Sequence, residues 1–230
     1  MISSNPYESG RVLFIDKPYE WTSFDVVRKL RGAMKIRKVG HAGTLDPLAT
    51  GLLILCTGNF TRKINEYMTR EKEYTGCFVL GATTATYDLE SEPVIKNGIA
   101  EITEKRIHEA AKNFIGTIEQ VPPAHSAIKI GGKRLYEFAR KGKEVTIQPR
   151  KITISEFEIT RITLPRVEFR VVCSTGTYIR SLANDFGAMI GSGAYLASLC
   201  RTRIGEFMLE DAKSVDAALE EIRETLHQKG

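Results

Sequence analysis

The sequence predicts an α+β chain: a mixed, largely antiparallel sheet with flanking helices. Three observations carry this. Strand-like apolar runs come in hairpin-like pairs, residues 153–162 and 167–174 being the clearest. Amphipathic helical segments lie between the runs. The regular strand–helix–strand alternation of a parallel sheet is missing, and no internal repeat is seen.

The elements follow in order. Residues 12–16 (VLFID) read as a short buried strand ended by Lys17-Pro18. Thr22, with Asp25 three residues on, reads as a helix N-cap. Val26, Val27 and Leu30 form that helix's apolar stripe, and Gly32 is expected to end it. Residues 52–57 read as a buried strand, 61–68 as a short helix and 74–80 as a strand stopping at Gly81. Residues 83–98 are polar and turn-rich. Thr103 caps a helix running to about Phe114, with Ile102 and Ile107 placed as a hydrophobic staple. From Pro122-Pro123 to Pro149, Gly131-Gly132 and Gly142 punctuate a basic segment, which predicts a protruding insertion. Residues 177–190 put Ile179, Leu182, Ala183, Phe186 and Ile190 on one helical face, ended by Gly191. A further short helix is expected at 194–200, a strand at 203–209 and a last amphipathic helix at 214–228.

The chain has 230 residues, 42% hydrophobic and 27% charged. That composition excludes collagenous, disordered and disulfide-scaffold classes. Cys56, Cys77, Cys173 and Cys200 are far apart, each in an apolar run, and read as buried thiols in a reducing compartment. The start lacks a signal-peptide pattern, and the longest apolar stretch, 51–56, is too short to span a bilayer. A cytoplasmic protein with no membrane association is expected. The net charge of +5 is unevenly spread. Residues 28–38 hold six basic side chains and no acid; residues 129–151 hold eight against two acids; the remainder is acidic. Two basic segments on an acidic chain suit a phosphate backbone, though two solvated helix faces would read the same way.

The densest special sequence is GHAGTLDPLATG (40–51). It matches neither a Walker A loop nor GxGxxG. It reads either as a plain turn or as a loop presenting one carboxylate, Asp46, braced by Pro47. His41 alone reads as structural or catalytic. It has no His or Cys partner at metal-ligand spacing, so no metal site is predicted. The second dense stretch, CSTGTYIR (173–180), ends a strand and opens a helix. An arginine in a helix's first turn opposes the macrodipole, so Arg180 calls for a carboxylate or phosphate partner.

Together these stretches resemble the TruB-type tRNA pseudouridine synthases. GRVLFIDKP (10–18), GHAGTLDPLATGLL (40–53), KEY (72–74), VPPAHSAIKIGGKRLYEFARKG (121–142) and CSTGTYIRSLANDFG (173–187) appear in the family's order. The resemblance implies the pseudouridine synthase fold with a basic thumb insertion at about 122–151. It implies isomerisation of uridine 55 in the tRNA T-loop, without a cofactor. By position, Asp46 is the essential aspartate, Arg180 the arginine pairing with it, and Tyr74 the ring stacked on the target base. Tyr178 and Leu199 line the uracil pocket, and His41 lies near the flipped nucleotide. Lys17 and Pro18 pack beside the site. Lys129, Lys133, Arg134, Arg140 and Lys141 of the thumb, with Lys35, Arg37 and Lys38, would hold the RNA. The tRNA T-stem-loop is the partner implied, with no obligate protein partner. In this resemblance the chain is the short form, a single catalytic domain over 1–230 without the C-terminal PUA domain. Two alternatives stand beside it: a non-catalytic tRNA-binding or folding protein, and a synthase for another RNA.

Overall fold

The computed structural model describes residues 5–96, 98–126, 129–130, 133–134 and 147–228. The chain divides into two compact units, Met1–Tyr74 with Leu199–Gly230, and Thr75–Ser198.

In the first unit, β1 (Val12–Lys17) lies antiparallel to β3 (Ala49–Thr57), with Ile15 opposite Leu53. The other edge of β3 is shared. β2 (Val39–Ala42) pairs antiparallel with its far end, and residues 199–201 of β12 (Ala194–Ile204) pair parallel with its start. Both faces of β3 are covered, which is why its residues 52–56 are continuously apolar. Leu53 and Leu55 pack with Ile15 against α2 (Ser23–Met34) and the C-terminal helix Val215–His227. Leu52 and Ile54 pack on the opposite side with Ala42 and Ile204.

The start of α2 is the expected capping box. Thr22 Oγ1 accepts from the Asp25 N–H, and Asp25 accepts from the Thr22 N–H, each at 3.0 Å. The expected stop at Gly32 is corrected: the helix continues to Met34 and ends at Lys35, whose φ is 54°. Burying Met34 outweighs the roughly 1 kcal/mol cost of an internal glycine.

In the second unit, β4 (Lys72–Leu80), β11 (Arg166–Cys173), β10 (Arg150–Thr163) and β7 (Gly116–Gln120) are neighbours in that order. Phe78 and Phe169 stack at 4.1 Å, and Phe157, Phe114 and Phe186 complete an aromatic core. Phe186 comes from the helix Ile179–Ile190, which ends as expected at Gly191 with φ 84°. Gly187 lets that helix close on the following chain, because a Cβ there would sit 2.1 Å from the Ala194 nitrogen.

Three further expectations are corrected. Residues 194–200 form a strand, not a helix. Ala194 and Leu196 are buried while Tyr195 and Ala197 are half-exposed, a period of two. Tertiary pairing has overridden the helical propensity of Ala and Leu. The expected strand 203–209 is a tight hairpin turning at Gly205, with Arg203 opposite Met208 in β13 (Phe207–Met208). Cys200 is only half-buried, unlike the other three cysteines. Strand β7 has no counterpart in the sequence reading. Most of the insertion lies outside the described residues, Arg140 and Lys141 among them. Within it, β8 (Lys129–Ile130) pairs antiparallel with β9 (Lys133–Arg134).

Candidate active site

Asp46, His41, Tyr74 and Leu199 fall in the first unit, Tyr178 and Arg180 in the second. Asp46 sits on the turn between β2 and β3, where the Ala49 N–H donates to the Asp46 carbonyl at 3.1 Å. Three side chains from separate elements hold this turn. Ser23, buried at the start of α2, accepts from the Leu45 N–H at 2.8 Å and donates to the Leu45 carbonyl at 3.1 Å. Lys17, at the end of β1, donates to the carbonyls of Pro47, Pro18 and Trp21. Arg201 of β12 donates to the carbonyls of Gly43 and Leu52, at 3.1 and 2.8 Å.

Lys17 and Arg201 are essentially inaccessible, at 0% and 1% exposure. Two buried cations behind one loop demand negative charge nearby. Burial brings the Lys17 ammonium down to about 8, and Arg201 pushes the same way, while the Asp46 carboxylate opposes the fall. That attraction is mutual, so the Lys17 ammonium and the Asp46 carboxylate favour each other's charged forms. Burial also holds His41 below the usual histidine range, with Arg201 adding to the effect, so the ring is neutral at pH 7. Leu199 lies opposite Ala49 in the parallel pairing of β12 with β3. Gly51 permits that approach: a Cβ there would fall 2.4 Å from the Arg201 carbonyl oxygen, and its φ is +100°. Tyr74 is 9% exposed, in β4.

In the second unit, Arg180 is 4% exposed and meets the carboxylate of Asp88, itself 4% exposed, at 3.5 Å. It also donates to the carbonyls of Thr86 (3.3 Å) and His125 (3.0 Å). The sequence reading asked for a carboxylate or phosphate partner to Arg180, and the resemblance named Asp46; within the second unit the carboxylate that meets Arg180 is that of Asp88. Asp88 itself was missed, because it lies in a segment legible only as turn. Lys17 was read as packing support, and Arg201 and Ser23 were not singled out. A charged residue inside an apolar strand was the available signal for Arg201.

On the basic surface, Lys35, Arg37 and Lys38 are exposed around a groove of about 370 Å³ shared with Glu8, Ile36, Gly58 and Asn59. Lys129, Lys133 and Arg134 are placed on the β8–β9 hairpin.

A family model described as "TruB family pseudouridylate synthase (N terminal domain)" matches residues 31–179, more than half the chain. The chain belongs to the TruB family of pseudouridylate synthases. Curated relatives agree along nearly the whole length. This TruB-family chain is 55% identical over 213 residues to a tRNA pseudouridine synthase B of Flavobacterium johnsoniae, covering 90% of this chain and 93% of the relative. It is 50% identical to one of Chlorobaculum tepidum, covering 94% and 92%. Among solved structures, it resembles a chain of a Cbf5-Nop10-Gar1 complex with a TM-score of 0.72 and 29% identity, over 95% of this chain and 59% of that one. A chain of an H/ACA RNP bound to a substrate RNA containing 2'-deoxyuridine matches with a TM-score of 0.69 and 27% identity, over 91% and 52%. The chain thus spans little more than half of those two solved chains. The fold is that of the pseudouridine synthases.

Proposed function

We propose that this TruB-family chain is a tRNA pseudouridine synthase acting on uridine 55 of the T-loop, with Asp46 as its essential carboxylate. The observation that carries the reading is the Asp46 loop, tied at Ser23, Lys17 and Arg201 and backed by two buried cations. A carboxylate carried on a backbone turn fixed in that way needs little reorganisation when it reacts. The near-full-length match to relatives named tRNA pseudouridine synthase B supplies the substrate class.

In this reading the N1–C1′ bond of the uridine breaks, the base turns, and C5 joins C1′. No electrons enter or leave: the proton lost from C5 to water is matched by one taken up at N1, so the product is an isomer of the substrate. The target base leaves the loop stack, at a cost of a few kcal/mol. Stacking on a ring such as Tyr74 returns about 1–3 kcal/mol. Three centres are open to the Asp46 carboxylate: C1′, C6 of the ring, and the 2′ proton. The neutral His41 and the side chains of Tyr178 and Leu199 belong to the nucleotide's surroundings, and Arg180 supports the reacting groups. Lys35, Arg37 and Lys38, with the insertion, hold RNA phosphates. As for the relatives named tRNA pseudouridine synthase B, the substrate in this reading is tRNA, and the place of action is the cytoplasm.

Tritium release from C5-labelled uridine in a T-stem-loop transcript tests the reading. Stoichiometric release, abolished when the target uridine is replaced by cytidine, is expected. A chain that binds the transcript and releases nothing is a binding protein instead.

A further inference from the structure

The helix Ile179–Ile190 opens with the turn that carries Tyr178 and Arg180, yet its N-cap residue, Tyr178, makes no capping hydrogen bond with its own side chain. Among the described residues, the cap is supplied by Gln120, the last residue of β7 and only 1% exposed. Gln120 Oε1 accepts from the Tyr178 N–H at 2.8 Å, and Nε2 donates to the Tyr178 carbonyl at 3.1 Å. A carboxamide offers an acceptor and a donor side by side, matching the N–H and C=O of one residue. Two more bonds join the same segments. Ser181 Oγ donates to the Val121 carbonyl at 2.8 Å, and Arg180 Nη2 donates to the His125 carbonyl at 3.0 Å. The chain leaving β7, where the basic insertion begins, is therefore fastened at residues 120, 121 and 125 to a single helical turn.

We propose that Gln120 is a positioning residue for the isomerisation: its two-point clamp fixes Tyr178, and through the turn Arg180, to the strand from which the insertion departs. The inference rests on the reading that Tyr178 and Arg180 serve the target nucleotide. Gln120 is buried behind the turn and acts through the backbone of Tyr178. Its removal is felt in the rate of the bound complex more than in RNA affinity, because the phosphate-binding side chains lie elsewhere.

Two full-length variants separate this role from a merely structural one. Gln120→Met keeps the volume and removes both hydrogen bonds. Gln120→Glu keeps the acceptor, but when ionised it sets an oxygen against the Tyr178 carbonyl. Its protonated form restores the donor–acceptor pair. The measurements are single-turnover pseudouridine formation at saturating T-stem-loop RNA, RNA dissociation constants by filter binding, and thermal unfolding. The Met variant is expected to turn over roughly tenfold slower or worse, with its dissociation constant within about threefold of wild type. The Glu variant's rate, divided by the wild-type rate at each pH, is expected to rise as pH falls from about 8 to about 6. If the Met variant is unfolded at the assay temperature, that ratio decides alone. Wild-type rates in both variants, a loss confined to the dissociation constant, or a ratio flat in pH would overturn the proposal. Absence of product from the wild-type chain instead defeats the underlying reading, and the proposal with it.

Discussion

Asp46 and Lys17 show how much a single residue depends on its setting. Asp46→Asn keeps the size of the side chain and its place on the turn but removes the charge. The variant is expected to bind the T-stem-loop within about threefold of wild type and to form no measurable pseudouridine, a loss of several orders of magnitude. Turnover near the wild-type rate would dismiss Asp46 as the essential group. Lys17 gives a pH signature. Its ammonium titrates near 10.5 when unfolded and near 8 when folded. Between those values the unfolded chain binds more protons, so stability contributed at this site rises with pH across that window. Below about pH 8 the lysine is charged in both states and the full cost of burial is felt. In urea unfolding, the difference between wild type and Lys17→Met should shift toward wild type from pH 8 to 10.5; a pH-independent difference would show that Lys17 is not strained. From sequence, Asp46 stood out through its Gly- and Pro-rich setting. Lys17 did not, because burial of a charge is invisible until three backbone carbonyls are seen around it.

At the scale of elements, caps and apolar periods were legible because they are local. The Thr22 capping box and the Gly191 stop fall where the residues demanded. Thr22→Ala should cost about 1 kcal/mol in chemical denaturation. Phe186, buried among Phe78, Phe114 and Phe157, is a core position of the second unit. Phe186→Ala is expected to cost roughly 3–5 kcal/mol, read as a lowered urea midpoint with an unchanged slope. The errors at Gly32 and at 194–200 have one cause. A local preference worth about 1 kcal/mol per residue yields when a neighbour offers burial or a ladder partner. Met34 finds a core below α2, and residues 199–201 find β3.

For the whole molecule, the uneven charge is the property with the longest reach. Fourteen basic residues lie in two short segments of a chain whose remainder is acidic. If the insertion grips phosphates, replacing Lys133, Arg134 and Lys141 together with Ala should flatten the plot of log K for tRNA against log salt by roughly 2–3 in slope. An unchanged slope would move the phosphate contacts elsewhere on the chain. The sequence by itself determined the α+β class, the capped helices, the charge segregation and, through five ordered motifs, the family. Those are properties of neighbouring residues, or of patterns that survive without contact. Only the tertiary structure decided that Ser23, Lys17 and Arg201 converge on the Asp46 turn, that Asp88 answers Arg180, and that Gln120 clamps Tyr178. Each of these joins residues 22 to 158 positions apart, and what makes them matter is desolvation. A buried charge or amide must be answered by a specific partner, and only the packed chain shows which one it is.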